Sequence, residues 1–208
     1  MQLIGMLDSP YVRRVAVSLQ LLGLPFEHRS ISVFSTFEQF QAINPVVKAP
    51  SLVCDDGTVL MDSSLIIDYA ESRAGPGRSL MPADPEQRRQ ALRVIGLALA
   101  ACEKAVQIIY ENKVRPPEKL HQPWIYRVTG QLLAACTELE AELSRQPLAV
   151  DAITQAGVST AVAWHFIQMS VPELVKAADY PALQRFSSQA EQLPQFAAAP
   201  HGAATYPV

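Results

Sequence analysis

The segment NPVVKAPSLVCDDGTVLMDSS, from Asn44 to Ser64, decides the fold. Two short apolar runs joined by a turn that ends at Gly57 are typical of a β-hairpin. Pro50 stands just ahead of the first run, which is one of the few positions where a sheet tolerates proline. An acid and two serines follow the second run and predict a helix capped by Ser63 or Ser64. Extended backbone and a helix N-terminus together are what a small peptide with a carboxylate requires for binding.

The residues before this segment predict a strand, a helix and a second strand. Gln2 to Leu7 is a short apolar run. Ser9 then provides a helix N-cap with proline at the first helical position, and the apolar spacing that follows is helical. Phe26 to Val33 alternates loosely and predicts the second strand. Two strands linked by a helix predict a right-handed crossover and a parallel pair. The first domain is therefore βαβ followed by ββα, where the last helix is expected to bury Leu65, Ile66, Tyr69 and Ala70.

The rest of the chain predicts helices and no clear strand. The two prolines within residues 81–85 indicate a linker. Helical periodicity then follows, interrupted by prolines. We expect an α/β domain over residues 1–77, a linker over 78–85 and an all-helical domain over 86–208. The expected helices of that domain span 86–113, 123–143, a segment starting at Thr154, and 181–193.

Composition excludes several classes of function. The net charge is −3 and basic runs are missing, so nucleic-acid binding is not expected. Apolar runs stay well short of the roughly 20 residues of a membrane span, and the N-terminus does not resemble a signal peptide. Three widely spaced cysteines favour a reducing compartment, the cytoplasm, and do not predict a metal site.

These features together resemble the cytosolic glutathione S-transferases. The residues that carry the resemblance are Ser9-Pro10-Tyr11 with Arg13, the run from Asn44 to Pro50, and Asp62-Ser63. The serine is similar to that of theta- and zeta-like classes and of many bacterial members. The resemblance implies a thioredoxin-like first domain, glutathione as co-substrate, no metal, a small and hydrophobic electrophile, and a homodimer.

The resemblance also implies which residues hold glutathione. A cis peptide bond at Pro50 would turn the backbone of Ala49 outward, where the tripeptide pairs with it as an added strand. Ser63 would hold the γ-glutamyl carboxylate at a helix N-terminus, and Asp62 would receive the ammonium group. Lys48 would face the glycyl carboxylate. The alternatives are that the serine and the aspartate only cap a helix and that the lysine is merely solvated.

Ser9 is the candidate catalytic residue. Its hydroxyl would donate to the glutathione thiolate at the start of a helix, although the same residue could only cap that helix. Tyr11 is a rival hydroxyl, ranked lower because tyrosine-type relatives carry theirs on the first strand. Tyr11, Tyr110 and Trp164 are candidates for the electrophile pocket, and the alternative for Tyr110 and Trp164 is a place in the core.

The expected activity is conjugation of glutathione to an electrophile. One alternative is a non-catalytic binding or regulatory module of the same fold. Another is a glutathione-dependent thiol reductase, but that chemistry favours a cysteine near the position of Ser9. The sequence departs from the family at Gly157, where relatives have an aspartate that completes a capping box with Thr154; we expect a weaker helix start there.

Overall fold

The computed structural model describes residues 1–202, which form two compact units. The first comprises Met1–Leu80 together with residues 192–202, and the second comprises Met81–Glu191. Residues 192–202 thus pack with the first unit, whereas the sequence assigned them to a helical domain over 86–208. The helices between residues 1 and 202 include none that is long and apolar enough to cross a membrane.

The first unit has a four-stranded mixed sheet. The strands are β1 (Gln2–Ile4), β2 (Glu27–Arg29), β3 (Ser51–Val53) and β4 (Val59–Met61), in the spatial order β2-β1-β3-β4. β1 is parallel to β2 and antiparallel to β3, and β4 is antiparallel to β3. The predicted βαβ–ββα order is confirmed, as is the change to a helical second unit. β1 and β2 are shorter than predicted because the chain turns away from the sheet soon after each one.

Four helices belong to this unit: α1 (Pro10–Leu21), α2 (Phe37–Ile43), α3 (Ser63–Arg73) and α8 (Pro194–Ala197). α1 starts where the sequence predicts, with Ser9 as N-cap. The prediction for α3 was wrong in two details. Its N-cap is Asp62, whose carboxylate accepts a hydrogen bond from Ser64 N at 2.9 Å. Its buried face carries Ile66, Ile67 and Ala70, while Leu65 is exposed.

Arg13 explains why the C-terminal segment belongs to the first unit. Its side chain is buried on α1, and Nε donates to the carbonyl oxygen of Ala199 at 2.7 Å. Its guanidinium also lies over the ring of Phe196, 5.7 Å from the ring centre. A buried charge needs such partners, and here backbone carbonyls and an aromatic face supply them.

The second unit is built from α4 (Pro85–Lys113), α5 (Gln122–Arg145), α6 (Gln155–Ser170) and α7 (Pro181–Ala190). α6 is buried over most of its length and packs against α4 and α7. The Glu140 carboxylate on α5 accepts hydrogen bonds from the first amides of α7, Ala182 N and Leu183 N, at 2.8 and 2.9 Å. A side chain of one helix therefore caps another and fixes their packing.

Gly157 in the first turn of α6 has a packing role. Thr154 is the N-cap, and its side chain makes no capping hydrogen bond. A Cβ at Gly157 would lie 2.7 Å from Ile153 Cγ1 and 3.2 Å from Phe186 Cζ. The glycine therefore allows the start of α6 to approach α7 more closely than any side chain would permit.

We predict that Gly157→Ala destabilises the protein, although alanine is the better helix former. The helix-propensity gain of about 1 kcal/mol is outweighed by overpacking of about 1–3 kcal/mol. Gly96→Ala on α4, where a Cβ meets no neighbouring atom, is the matched control and should stabilise by about 0.5–1 kcal/mol. Urea unfolding of both variants measures the difference, and equal stabilisation by both would contradict the packing role.

Candidate functional site

Three connections of the first unit meet along one edge of the sheet. Ile4, Ser51 and Met61 are cross-strand partners in β1, β3 and β4. The loop to Ser9 leaves β1 just after Ile4, Pro50 leads into β3, and α3 begins just after Met61. The strand register therefore brings the predicted residues of the first unit to the same edge, although they are far apart in sequence.

Ser9 lies half-buried at the start of α1. Its Oγ accepts a hydrogen bond from Val12 N at 3.4 Å, and its backbone is extended, as an N-cap requires. A serine hydroxyl can accept at its oxygen and donate its own hydrogen at the same time. Capping the helix therefore leaves Ser9 able to donate to a bound anion, in the region where the amides of α1 already favour negative charge.

The peptide bond between Ala49 and Pro50 is cis, the geometry that the family resemblance implies. Pro50 is buried, and pairing of β3 with β1 begins only at Ser51, so Ala49 lies beyond the paired part of the strand. Val47, two residues earlier, has φ of 53°, which is unusual for a β-branched residue. Strained backbone of this kind concentrates at binding sites.

The loop before β3 is held by Asn44, a residue to which the sequence analysis gave no role. Its side chain is buried, with Nδ2 donating to Ser51 Oγ at 2.8 Å and Oδ1 accepting from Val46 N at 3.0 Å. Ser51 Oγ in turn donates to the carbonyl oxygen of Lys48 at 2.7 Å. These bonds surround Ala49 and Pro50, so Asn44 sets the direction in which the backbone of Ala49 faces.

The N-terminus of α3 is, after that of α1, the second helix end at this edge that attracts anions. Asp62 has φ of 70° with ψ of 126°, a backbone conformation that residues with a Cβ rarely adopt. Ser63 is buried, and its Oγ accepts a hydrogen bond from Arg14 Nη1 at 3.0 Å. The same nitrogen donates to Ser64 Oγ at 3.1 Å. A positive guanidinium and a helix N-terminus therefore converge on these serines.

His28 lies on β2 and contacts the residue that follows β1 at this edge of the sheet. Its side chain is buried, and Nε2 lies 2.7 Å from the carbonyl oxygen of Gly5, which follows β1. Burial lowers the pKa of His28, and the hydrogen bond to Gly5 opposes this only in part. The imidazole is therefore neutral near pH 7, and Nε2 carries the hydrogen that it donates to the carbonyl.

Of the remaining predicted residues, two lie in the first unit and two in the second. Lys48 is exposed and Tyr11 is half-buried near the start of α1. Tyr110 is half-exposed near the end of α4. Trp164 is buried in the second unit, where its indole N–H donates to Gln184 Oε1 at 2.9 Å, which is the placement of a core aromatic. An open depression of about 520 Å³ on the second unit is lined by none of them, but by Lys104, His121, Pro123, Trp124, Arg127 and Gln131.

The cysteines lie away from the end of the sheet that carries Ser51. Cys54 follows β3 at the end opposite Ser51, and Cys102 and Cys136 are buried in the second unit. Burial raises the pKa of the Cys136 thiol to about 12, which keeps it protonated. Within residues 1–202, His, Cys, Asp and Glu side chains form no group of three or more that could hold a metal ion.

We predict that Asn44→Ala lowers the free energy of unfolding by about 2 kcal/mol, because it leaves the buried Ser51 hydroxyl and the Val46 amide without their partner. Gln41→Ala, at an exposed position of α2, is the control and should change stability by less than about 0.5 kcal/mol. Chemical denaturation measures both. An Asn44→Ala protein as stable as the control would show that the loop holds its shape without this side chain.

Comparisons with known proteins agree with this geometry. Residues 3–79 match the glutathione S-transferase N-terminal domain. The uncharacterized GST-like protein YibF of Escherichia coli K12 is 25% identical over 164 residues, which cover 78% of this chain and 80% of YibF. A glutathione transferase family member from Pseudomonas fluorescens Pf-5 with bound S-(propanoic acid)-glutathione is 28% identical. Its TM-score is 0.80, with 96% of this chain and 98% of that chain covered.

A second solved structure extends the likeness. The glutathione S-transferase of Methylobacterium radiotolerans in complex with glutathione sulfonate is 27% identical, with a TM-score of 0.86 over 94% of this chain and 92% of that chain. The N-terminal match includes the whole sheet edge described above, and the structural likeness continues through the helices that follow. Residues 3–79 therefore form a domain of the glutathione S-transferase N-terminal type, and the whole chain resembles solved glutathione transferases along most of its length.

Proposed function

We propose that this protein is a glutathione transferase that joins the glutathione thiolate to a small, hydrophobic electrophile. The observation that carries the proposal is the meeting of two helix N-termini and the cis Ala49–Pro50 segment at one edge of the sheet. Glutathione has a thiol, a peptide backbone and carboxylates in one extended molecule. A site for it needs separate partners for each, and this edge offers them.

The first partners hold the tripeptide. The backbone of Ala49 pairs with the cysteinyl residue of glutathione as an added antiparallel strand. The γ-glutamyl carboxylate is held at the start of α3 by Ser63, and its ammonium group is held by Asp62. Lys48, which is exposed, faces the glycyl carboxylate. The glutathione conjugate bound to the Pseudomonas fluorescens relative supports this use of the fold.

Ser9 supplies the chemistry in this proposal. A free thiol with a pKa of about 8.5 is only about 3% ionised at pH 7. Donation from the Ser9 hydroxyl, together with the amides at the start of α1, lowers that pKa by about two units, so that the thiolate predominates. The serine stabilises the nucleophile and does not itself attack the electrophile.

We also propose a contact for the electrophile, an oligomeric state and a cellular location. Tyr110, half-exposed on α4, is a contact for the electrophile. The protein acts as a homodimer in the cytoplasm, as the family resemblance implies. A non-catalytic module is the alternative, and it differs from a transferase in binding glutathione without conjugating it.

We predict that Ser9→Ala lowers kcat/KM for glutathione and 1-chloro-2,4-dinitrobenzene at pH 7 by at least about tenfold. The apparent pKa in the pH–rate profile should rise, because the thiolate loses a donor. Stability should also fall by about 1 kcal/mol through the lost cap.

Two further variants separate donation from capping. Ser9→Thr keeps both functions and should retain activity. Ser9→Asp caps the helix but offers only an acceptor, so it should be stable and inactive. A folded Ser9→Ala protein with the rate and pH profile of wild type would exclude Ser9 as the thiolate donor. Wild-type protein that binds glutathione-agarose without conjugation would favour the non-catalytic module.

We predict that Asp62→Asn weakens glutathione binding about tenfold while changing stability by less than about 0.5 kcal/mol. Asparagine keeps the acceptor for Ser64 N and has nearly the same shape as aspartate, so the main change is the loss of the negative charge. Calorimetry should show a much smaller loss for a deaminated glutathione, which has no ammonium group. Unchanged binding of both ligands would mean that Asp62 serves only as the helix cap, and an equal loss of both would mean that its charge does not act on the ammonium group.

A further inference from the structure

We infer that Arg14 is a positioning residue for the γ-glutamyl carboxylate, acting through the hydroxyl of Ser63. The inference rests on the proposed binding of glutathione. Arg14 lies on α1, and its guanidinium reaches the first turn of α3, where one nitrogen contacts two serine hydroxyls at 3.0 and 3.1 Å. Both Arg14 and Ser63 are buried, with 3% and 2% of their surfaces exposed.

The hydrogen-bond chemistry of this contact fixes the direction of the Ser63 hydroxyl. A guanidinium has five donors and no acceptor, so the serine oxygen must accept from it. The hydroxyl hydrogen of Ser63 then cannot turn toward Arg14 and must serve another acceptor. Next to the start of α3, the acceptor that this arrangement suits is an anion such as a carboxylate. A neutral serine is thereby converted into an oriented donor.

Electrostatics add to this orientation. The Arg14 guanidinium stays charged at all physiological pH values, and it lies beside the positive end of the α3 dipole. Asp62 places one negative charge on the exposed side of the same turn. Because the guanidinium is buried, its field is screened less by solvent ions than that of a surface arginine. The positive charge of Arg14 and the positive end of the α3 dipole both attract a ligand carboxylate at this turn.

Arg14 also connects the two ends of the proposed ligand. α1 begins with Ser9 at the thiol end, and α3 begins with Ser63 at the carboxylate end. The hydrogen bonds from Arg14 join α1 to α3 directly. One side chain therefore orients the carboxylate donor and fixes its helix to the one that carries the thiolate donor.

The test compares Arg14→Gln with Arg13→Gln. Arg13 is the adjacent arginine of α1, equally buried, but it donates to Ala199 O and not to α3. Calorimetry measures binding of glutathione and of 4-aminobutanoyl-cysteinylglycine, which lacks only the γ-glutamyl α-carboxylate. Arg14→Gln should weaken glutathione by about tenfold and the analogue by less than about twofold. Arg13→Gln should affect both ligands by the same factor.

A double-mutant cycle tests whether Arg14 acts through the Ser63 hydroxyl. In a Ser63→Ala background, Arg14→Gln should weaken glutathione by less than about threefold, because the hydroxyl that it orients is gone. Conjugation kinetics should show that KM for glutathione rises by a larger factor than kcat falls, since Arg14 contacts Ser63 and not Ser9. If Arg14→Gln does not fold, Arg14→Lys replaces it, with the same comparison of the two ligands.

The outcomes separate this inference from the proposed function. Wild-type protein that does not bind glutathione overturns the proposed function and the inference with it. Wild-type binding together with equal losses of both ligands in the Arg14 variant overturns the inference alone and makes Arg14 a purely structural link. A full tenfold effect of Arg14→Gln that persists in the Ser63→Ala background overturns the route through the hydroxyl.

Discussion

The hydrogen bonds of the buried Asn44 side chain are the interaction on which the sheet edge depends. The residue lies at the C-terminal end of α2 and reaches both the loop that follows and the first residue of β3. Ser51 Oγ, which accepts from Asn44, also donates to the carbonyl oxygen of Lys48. Hydrogen bonds therefore hold the loop on both sides of its cis peptide bond. A buried amide of this kind is costly unless it is fully paired, and pairing makes one loop conformation far more stable than its alternatives. The hydrogen bonds of the buried Asn44 side chain therefore determine which way the backbone of Ala49 faces.

Close packing around Gly5 brings the other elements to the same edge. This glycine follows β1 with φ of 135°, and a Cβ there would lie 2.6 Å from Val12 Cγ2 and 3.3 Å from Ala49 Cβ. α1 and the loop before β3 can approach β1 only because no side chain intervenes. His28, on β2, donates a hydrogen bond to the carbonyl oxygen of Gly5. Val12 of α1 and Ala49 of the loop can both pack against this residue because it has no side chain.

The sequence was sufficient for the order of elements and insufficient for the contacts between them. Proline at the first position of α1 and the turn at Gly57 are local signals, and both elements were predicted correctly. The roles of Asn44 and Arg14 depend on partners 7 and 49 residues away, which no periodicity reveals. The α3 cap was assigned to a serine because composition cannot show that Asp62 adopts a positive φ. The missing capping-box aspartate at Gly157 likewise suggested only a weaker helix start, whereas tight packing against α7 explains the residue.

Two consecutive arginines hold α1 in place, and this bears on how Ser9 could act. Arg13 binds the C-terminal segment and Arg14 binds the start of α3, so the helix is fixed on two sides by charged groups within its buried surface. A hydroxyl donor lowers the pKa of a bound thiol most when it is already oriented and needs no rearrangement. The weak capping bond from Val12 N to Ser9 Oγ restrains the serine without using its hydrogen. Capping and thiolate stabilisation are therefore compatible roles of one side chain, and the rigidity of α1 is what would make the second role effective.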